Sequence, residues 1–296
     1  MAKIAYGIFA YRDPEMVARI INRLHTESDL MYIHFDTAIG ERRFRACKKL
    51  IEQKCPNENT EIVSVFRCKW GSFGLVDSFL SAMKHFNDLD FDYFINLTEG
   101  CYPLKSTEAI KREFNQQNSV FMEVFEMPFS GWDNGGMPRI QNRFYFVPSR
   151  KYPYVRIFSI PRIRKKLPLN LKPYGGSGFF CLPREVVKYV VDFVEKNPSV
   201  RSFFRRTHIP DEMFFQTILM NSHYSSRIVN DNKRYVDWNR STAGGHPAIL
   251  TKSDFDNIKT SGKLFARKFD PSIDSEILNL IDQDIEETEM LRNLQK

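Results

Sequence analysis

Glu212 stands near the head of an apolar run, Ile209-Pro-Asp-Glu-Met-Phe-Phe-Gln-Thr-Ile-Leu-Met-Asn221. Pro210 is pre-set for a first helical turn, and Asp211 and Glu212 place negative charge where a helix dipole favours it. Met213, Phe214, Phe215, Ile218, Leu219 and Met220 spread round most of the circumference, so the spacing predicts a helix from Pro210 buried on several sides. Glu212 and Gln216 share the polar strip that remains. A carboxylate there fits two roles: a cap held in an internal salt bridge, or a general base at the floor of a cleft.

Arg267 and Lys268 lie between two apolar anchors in Leu264-Phe-Ala-Arg-Lys-Phe-Asp270. Two cations pinned this way can neutralise a diphosphate leaving group, as a metal would, or can form a charged surface turn. Asp36 closes a strand pattern and could take a ribose or base hydrogen bond, or cap a turn. Trp70, beside Gly71, could stack on a base or pack in the core. Gly175-Gly176-Ser177-Gly178 suits close backbone approach to a ligand. The run Asp88-Leu-Asp90-Phe-Asp92 holds two D-x-D patterns, a common way to hold a divalent metal. It precedes a strand, so it falls at the amino end, where the solvated-turn reading is favoured over metal binding. Phosphate-loop, dinucleotide and H-E-x-x-H patterns are absent, and His34, His208 and His246 are scattered and assigned no catalytic role.

The elements that must position these groups alternate. Strands are predicted at Lys3 to Ala10, Asp29 to Asp36, Thr60 to Phe66 and Tyr93 to Leu97. Helices are predicted between them at Pro14 to His25, with Asp13 as cap, at Glu41 to Gln53 and at Phe73 to Phe86. This order predicts a parallel sheet with helices on both faces and a ligand crevice beyond the strands' carboxyl ends. The loops at Ala10 to Pro14, Asp36 to Gly40, Arg67 to Gly71 and Thr98 to Pro103 should line it. From about Gln116 the pattern is less regular. A strand at Val120 to Phe125 leads into a Gly, Pro and aromatic stretch at Pro128 to Arg139, then a basic stretch at Arg143 to Pro173. Trp132, Arg139, Arg143, Tyr145, Arg150, Tyr152 and Tyr154 there suit an acceptor site or a solvated lid. Regular spacing returns with a strand at Gly178 to Leu182 and a helix at Pro183 to Glu195. A strand near Arg234 to Trp238, a loop through Gly244, Gly245 and Pro247, and helices at Lys252 to Ile258 and Asp274 to Leu294 complete the chain.

With 296 residues, 42% of them hydrophobic, the chain can bury a full core as one large or two small domains; one domain with an insertion fits the pattern best. A formal net charge of +7 suits an anionic ligand, whether nucleotide, nucleic acid or membrane surface, without choosing among them. The start, MAKIAYGIFAYRDPE, does not read as a signal peptide, and no stretch reaches the roughly 18 apolar residues that span a membrane. Five cysteines without C-x-x-C spacing argue against zinc and for a reducing compartment. The expectation is a soluble cytoplasmic protein.

Several stretches, in this order, resemble the Core-2/I-branching β-1,6-N-acetylglucosaminyltransferase and peptide O-xylosyltransferase family, glycosyltransferase family 14. They are YIHFD (Tyr32 to Asp36), KWGSFGLVDSFL (Lys69 to Leu80), YFINLTEGCYPL (Tyr93 to Leu104), GGSGFFCLPRE (Gly175 to Glu185), PDEMFFQTILMN (Pro210 to Asn221), NDNKRYVDW (Asn230 to Trp238), HPAILTKSDF (His246 to Phe255) and LFARKFD. PDE followed by FARKFD is the specific combination.

The resemblance implies an α/β fold of the GT-A glycosyltransferase type: a mostly parallel central sheet, helices on both faces and a Rossmann-like nucleotide-binding half. It divides one domain, 1–296, into a UDP-binding half at 1–115, an insertion and acceptor region at 116–174, and a catalytic half with C-terminal helix at 175–296. It implies an inverting transfer from a UDP-sugar, N-acetylglucosamine or xylose, to a glycan hydroxyl in surface polysaccharide or glycoconjugate synthesis, with no cofactor and no metal. Glu212 matches the catalytic base. Arg267 and Lys268 match the cations facing the diphosphate, with Arg234 as a further diphosphate-binding arginine. Asp36 and Trp70 match positions on the uridine side. Gly176, Ser177, Cys101 and Trp132 are expected on the sugar side. One departure stands out: the family's L-S-G-x-D-[YF]-P reads Leu97-Thr-Glu-Gly-Cys101-Tyr-Pro here, with Cys101 in place of an Asp near the donor sugar. That leaves the donor sugar open. Expected partners are the UDP-sugar and a glycan or glycoconjugate acceptor, not nucleic acid, with peripheral membrane association through the basic region. The rival readings are a metal-dependent transferase using Asp88 to Asp92, and a non-catalytic module binding anionic glycan or nucleic acid.

Overall fold

The computed structural model describes residues 1–145, 166–241 and 245–294. Arg150, Tyr152, Tyr154 and Gly244 lie outside the described residues.

The alternating first third forms as its pattern predicts. β1 (Ile4–Ala10) is buried along its whole length. α1 (Pro14–Leu24) starts where the Asp13 carboxylate accepts the Met16 N–H at 3.0 Å, and it buries Met16, Val17, Ile20, Ile21 and Leu24. β2 (Leu30–Phe35), α2 (Glu41–Lys54), β3 (Thr60–Val63), α3 (Gly74–Phe86) and β4 (Tyr93–Thr98) follow. β3 stops short of Phe66 because the Val65 and Phe66 N–H groups turn to the His34 Nε2, at 3.3 and 3.0 Å, instead of continuing the ladder.

Next come β5 (Cys101–Pro103), α4 (Thr107–Glu113), β6 (Val120–Met122), β7 (Phe125–Glu126), α5 (Met137–Gln141), β8 (Tyr174–Gly175) and β9 (Phe180–Pro183). The single strand expected at Val120 to Phe125 is therefore two. β6 joins the central sheet, whereas β7 pairs with β8. α6 (Arg184–Lys196), α7 (Pro198–Phe204), α8 (Phe214–Met220), β10 (Ile228–Val229), β11 (Arg234–Val236), α9 (Phe255–Thr260), β12 (Phe265–Arg267) and α10 (Glu276–Leu294) complete the order.

The central sheet has seven strands in the order β10-β6-β9-β4-β1-β2-β3. β1, β2, β3 and β4 pair in parallel, as do β6 and β10, while β9 runs antiparallel between β4 and β6. Strands from the second half of the chain thus extend the sheet begun by the first. A smaller sheet, β11-β12-β5, lies apart from it. Alternate residues of β1 divide the core. Ile4, Tyr6 and Ile8 pack with α1, α2, α10 and the small sheet, and Ala5 and Phe9 pack with α3, α6, α7 and α8. Helices therefore cover both faces. α10 is tied down by Asp282, which accepts from Arg19, Arg23 and the Tyr102 hydroxyl. No helix among the described residues is long and apolar enough to cross a membrane.

The helix predicted from Pro210 is broken. Pro210–Glu212 forms one 3-10 turn, Met213 sits at φ −140°, and α8 begins only at Phe214. The Glu212 carbonyl leaves the helix ladder and accepts the Gly176 N–H at 2.9 Å. Gln216 is fully buried, not on a polar strip, and its amide donates to the Ser177 carbonyl at 2.6 Å.

Candidate active site

The loops that leave the carboxyl ends of β1, β2, β3 and β4 meet around one cavity of about 500 Å³. Its wall takes Phe9 to Asp13, Asp36 and Ala38, Arg67 to Gly71, and Thr98 to Gly100 from those loops. Ser177 to Phe179, Asp211, Glu212, Trp238, Gly245 to Pro247 and Arg267 to Phe269 close it from the second half. Asp36, Trp70, Ser177, Glu212, Arg267 and Lys268 are thus brought together. The Asp88 to Asp92 run is not among these residues. Asp90 pairs in solvent with Arg184 at 3.1 Å, and Asp92 accepts the Lys3 N–H at 2.7 Å.

Glu212 is set by the backbone before it. Ile209 adopts φ +52°, a left-handed conformation that costs a β-branched residue on the order of 1–3 kcal/mol. It is buried, and its N–H donates to the Gly71 carbonyl at 2.9 Å. The turn this forces presents the Asp211 and Glu212 carboxyls to the cavity. Burial raises the Glu212 pKa above the usual carboxylate range, and the charges of Arg139 and Arg267 oppose the rise. Arg139 Nη1 donates to Glu212 Oε2 at 2.7 Å. Asp211 is pushed up to about 7, first by burial and then by the Glu212 charge. Both neighbouring carboxyls are thus shifted upward by burial. Asp211 also fixes Gly178: a Cβ there would lie 3.0 Å from its Oδ2.

The two cations come from the end of β12. Arg267 lies over the Phe179 ring, 4.5 Å from its centroid, and its buried Nε has no hydrogen-bond partner among the described residues. Neither Arg267 nor Lys268 forms an ion pair among the described residues. Burial lowers the pKa of both, and for Lys268 the Arg267 charge adds to the effect. Such a cation gains from an anion that replaces lost water.

Two wall carboxylates are already committed to backbone. Asp36 accepts the Ala38 and Cys68 N–H groups at 2.7 and 3.0 Å, so it caps a turn as well as lining the cavity. Glu99 Oε2 accepts the N–H groups of Tyr11, Arg12 and Asp13 at 3.0, 3.1 and 3.1 Å. In many nucleotide-binding folds the N–H groups after the first strand cradle phosphate. Here an internal carboxylate occupies them.

Four expected ligand residues lie outside the cavity wall. Cys101 is fully buried and stands opposite Arg267 in the β5–β12 pair, so it supports the arginine's strand. Gly176 lets two segments cross: a Cβ there would lie 1.9 Å from the Glu123 carbonyl oxygen. Trp132 carries the Arg139 guanidinium 3.8 Å from its ring centroid, so one face is taken. Arg234 is buried with its guanidinium on the Asn96 and Asn232 carbonyls and the Cys181 sulfur, beneath the site. Its place in a strand did not show which way it points.

Sequence reasoning passed over Asp211, Trp238 and His246 as wall residues, and missed Arg139 as the partner of Glu212. Trp238 is 51% exposed, and Trp70 meets His246 and His208 edge-on. The available signal was that Trp238 and His246 end and begin two of the family-like stretches.

The mostly parallel sheet, and a carboxyl-end cavity whose wall holds Glu212, Arg267 and Lys268, are consistent with a GT-A-like glycosyltransferase fold. Residues 4–259 match the Core-2/I-Branching enzyme family, and the chain belongs to that family. It is 26% identical over 310 residues to Xylosyltransferase 2 of Mus musculus, covering 95% of this chain and 33% of that protein. It is 23% identical over 303 residues to Xylosyltransferase 1 of Rattus norvegicus, covering 95% and 35%. For Xylosyltransferase 1 of Homo sapiens the figures are 24% over 304 residues, covering 95% and 30%. The chain thus spans about a third of the length of these curated relatives.

Proposed function

We propose that this chain transfers a sugar from a UDP-sugar to a glycan or glycoconjugate hydroxyl by a single displacement, with inversion and without a metal. The observation that carries this reading is that Glu212 and the pair Arg267 and Lys268 line one cavity beyond the carboxyl ends of the sheet. In the reaction the acceptor oxygen bonds to the anomeric carbon as the bond to the UDP oxygen breaks. Glu212 takes the acceptor proton. The sugar carbon gains oxocarbenium character. Negative charge grows on the departing diphosphate, where Arg267 and Lys268 oppose it without reorganising. Asp36 and Trp70 stand on the uridine side and Ser177 toward the sugar. Xylose is the first donor to test, given the names of the relatives, and N-acetylglucosamine the second.

Metal independence is supported by cations lining the cavity and by the acidic run lying elsewhere. EDTA is expected to leave the rate within about twofold, and Asp90→Asn likewise, because removing an exposed pair has little effect. Measuring UDP release with EDTA and with added magnesium checks this. Loss on chelation with recovery in magnesium would contradict it.

A further inference from the structure

Arg139 sits where it can act on Glu212 without facing the cavity. It is absent from the wall, yet its Nη1 is 2.7 Å from Glu212 Oε2. Among the described residues nothing bonds Glu212 Oε1. The other side of the guanidinium lies on Trp132, 3.8 Å from the ring centroid, and Trp132 in turn packs edge-on against Phe125, with centroids 4.9 Å apart.

The surrounding backbone is shaped to this stack. A Cβ on Gly136 would lie 2.4 Å from the Trp132 ring, and one on Gly175 would lie 2.9 Å from it. Gly135 and Gly136 also take φ +65° and +75°, turning the chain so that α5 starts at Met137 and delivers Arg139 back over the indole. A planar guanidinium held on an aromatic face keeps few orientations, so its hydrogen bond fixes the carboxylate plane.

We propose that Arg139, backed by Trp132, is the positioning residue of the base: it holds Glu212 Oε2 and leaves Oε1 to receive the acceptor's proton. This rests on Glu212 being the base. A second consequence is electrostatic. The charged groups around Glu212 are Arg139 from α5, Arg267 from β12, the adjacent Asp211, and Glu123 from the segment between β6 and β7. Glu123 has Lys263 as its opposing cation, but Glu212 and Asp211 are opposed by Arg139 and Arg267, so loss of Arg139 lets Glu212 hold its proton to higher pH.

The test is the pH dependence of UDP release from UDP-xylose with water as acceptor, or from UDP-N-acetylglucosamine if xylose is not used. UDP affinity is measured on the same samples by calorimetry. Arg139→Gln should move the acid limb up by about one pH unit and cut the rate at pH 7 by about tenfold or more. Its UDP affinity should stay within about twofold. Arg139→Lys should restore the limb but only part of the rate, since it keeps the charge and not the planar contact. Trp132→Leu should lower the rate with a smaller limb shift. A wild-type limb and rate in Arg139→Gln would overturn the proposal. So would unchanged hydrolysis with reduced transfer to a glycan, which would make Arg139 an acceptor contact. If Arg139→Gln loses UDP binding through misfolding, a wild-type limb and full rate in Trp132→Leu would overturn it instead. Full activity in Glu212→Gln is a separate failure, of the base assignment itself.

Discussion

Glu212→Gln is expected to lower sugar transfer by about 100-fold or more while leaving UDP affinity within about twofold. The amide is close to isosteric and keeps an oxygen for Arg139, so the turn at Pro210–Glu212 should survive. What it loses is the ability to take a proton from an acceptor hydroxyl that is a poor nucleophile at neutral pH. The carboxylate's environment makes this loss specific. Burial raises its pKa while Arg139 and Arg267 keep the ionised form accessible, which is the balance a general base needs. Transfer assays and calorimetry on one preparation check the prediction. A wild-type rate would remove Glu212 from the chemistry.

The second large effect concerns the cations. Arg267→Gln is expected to reduce turnover by about 100-fold, the scale of losing one preorganised charge opposite a developing anion. Lys268→Gln should cost less, about tenfold, because it is the more solvated of the pair. Unlike the Glu212 variant, both should weaken UDP binding. Arg267 has a further role in holding down the pKa values of Glu212 and Asp211, so its loss should also raise the acid limb. The two positions are adjacent and share a ligand, so the double variant should fall short of the product of the singles. Measured UDP affinities separate the cases: unchanged affinity in Arg267→Gln would place the diphosphate elsewhere.

The parallel half of the sheet was legible because each of its strands and helices carries its own period. The Asp13 cap and the buried face of α1 can be read from a dozen residues. β9 was harder, since Phe180–Pro183 is apolar throughout and nothing local states that it runs antiparallel between β4 and β6. The break at Met213 was hidden for a different reason. Helix propensity is continuous there, and the interruption comes from Ile209 held to Gly71 and from the Glu212 carbonyl bonding Gly176. Within the site, Glu212, Arg267 and Lys268 could be named because charge stands inside apolar runs. That Cys101 and Arg234 lie outside the cavity wall was not legible, because a strand assignment leaves open which face is covered. Arg139 reaches Glu212 across 73 residues of sequence, a contact that only the tertiary arrangement reveals.

The most direct measurement is the anomeric configuration of the sugar first released from an α-linked UDP-sugar, followed by proton NMR before mutarotation. With water or a glycan hydroxyl as acceptor, a single displacement assisted by Glu212 gives the β-anomer first. Initial release of the α-anomer would show retention, which a backside single displacement cannot give, and would contradict the assignment of this cavity as an inverting site.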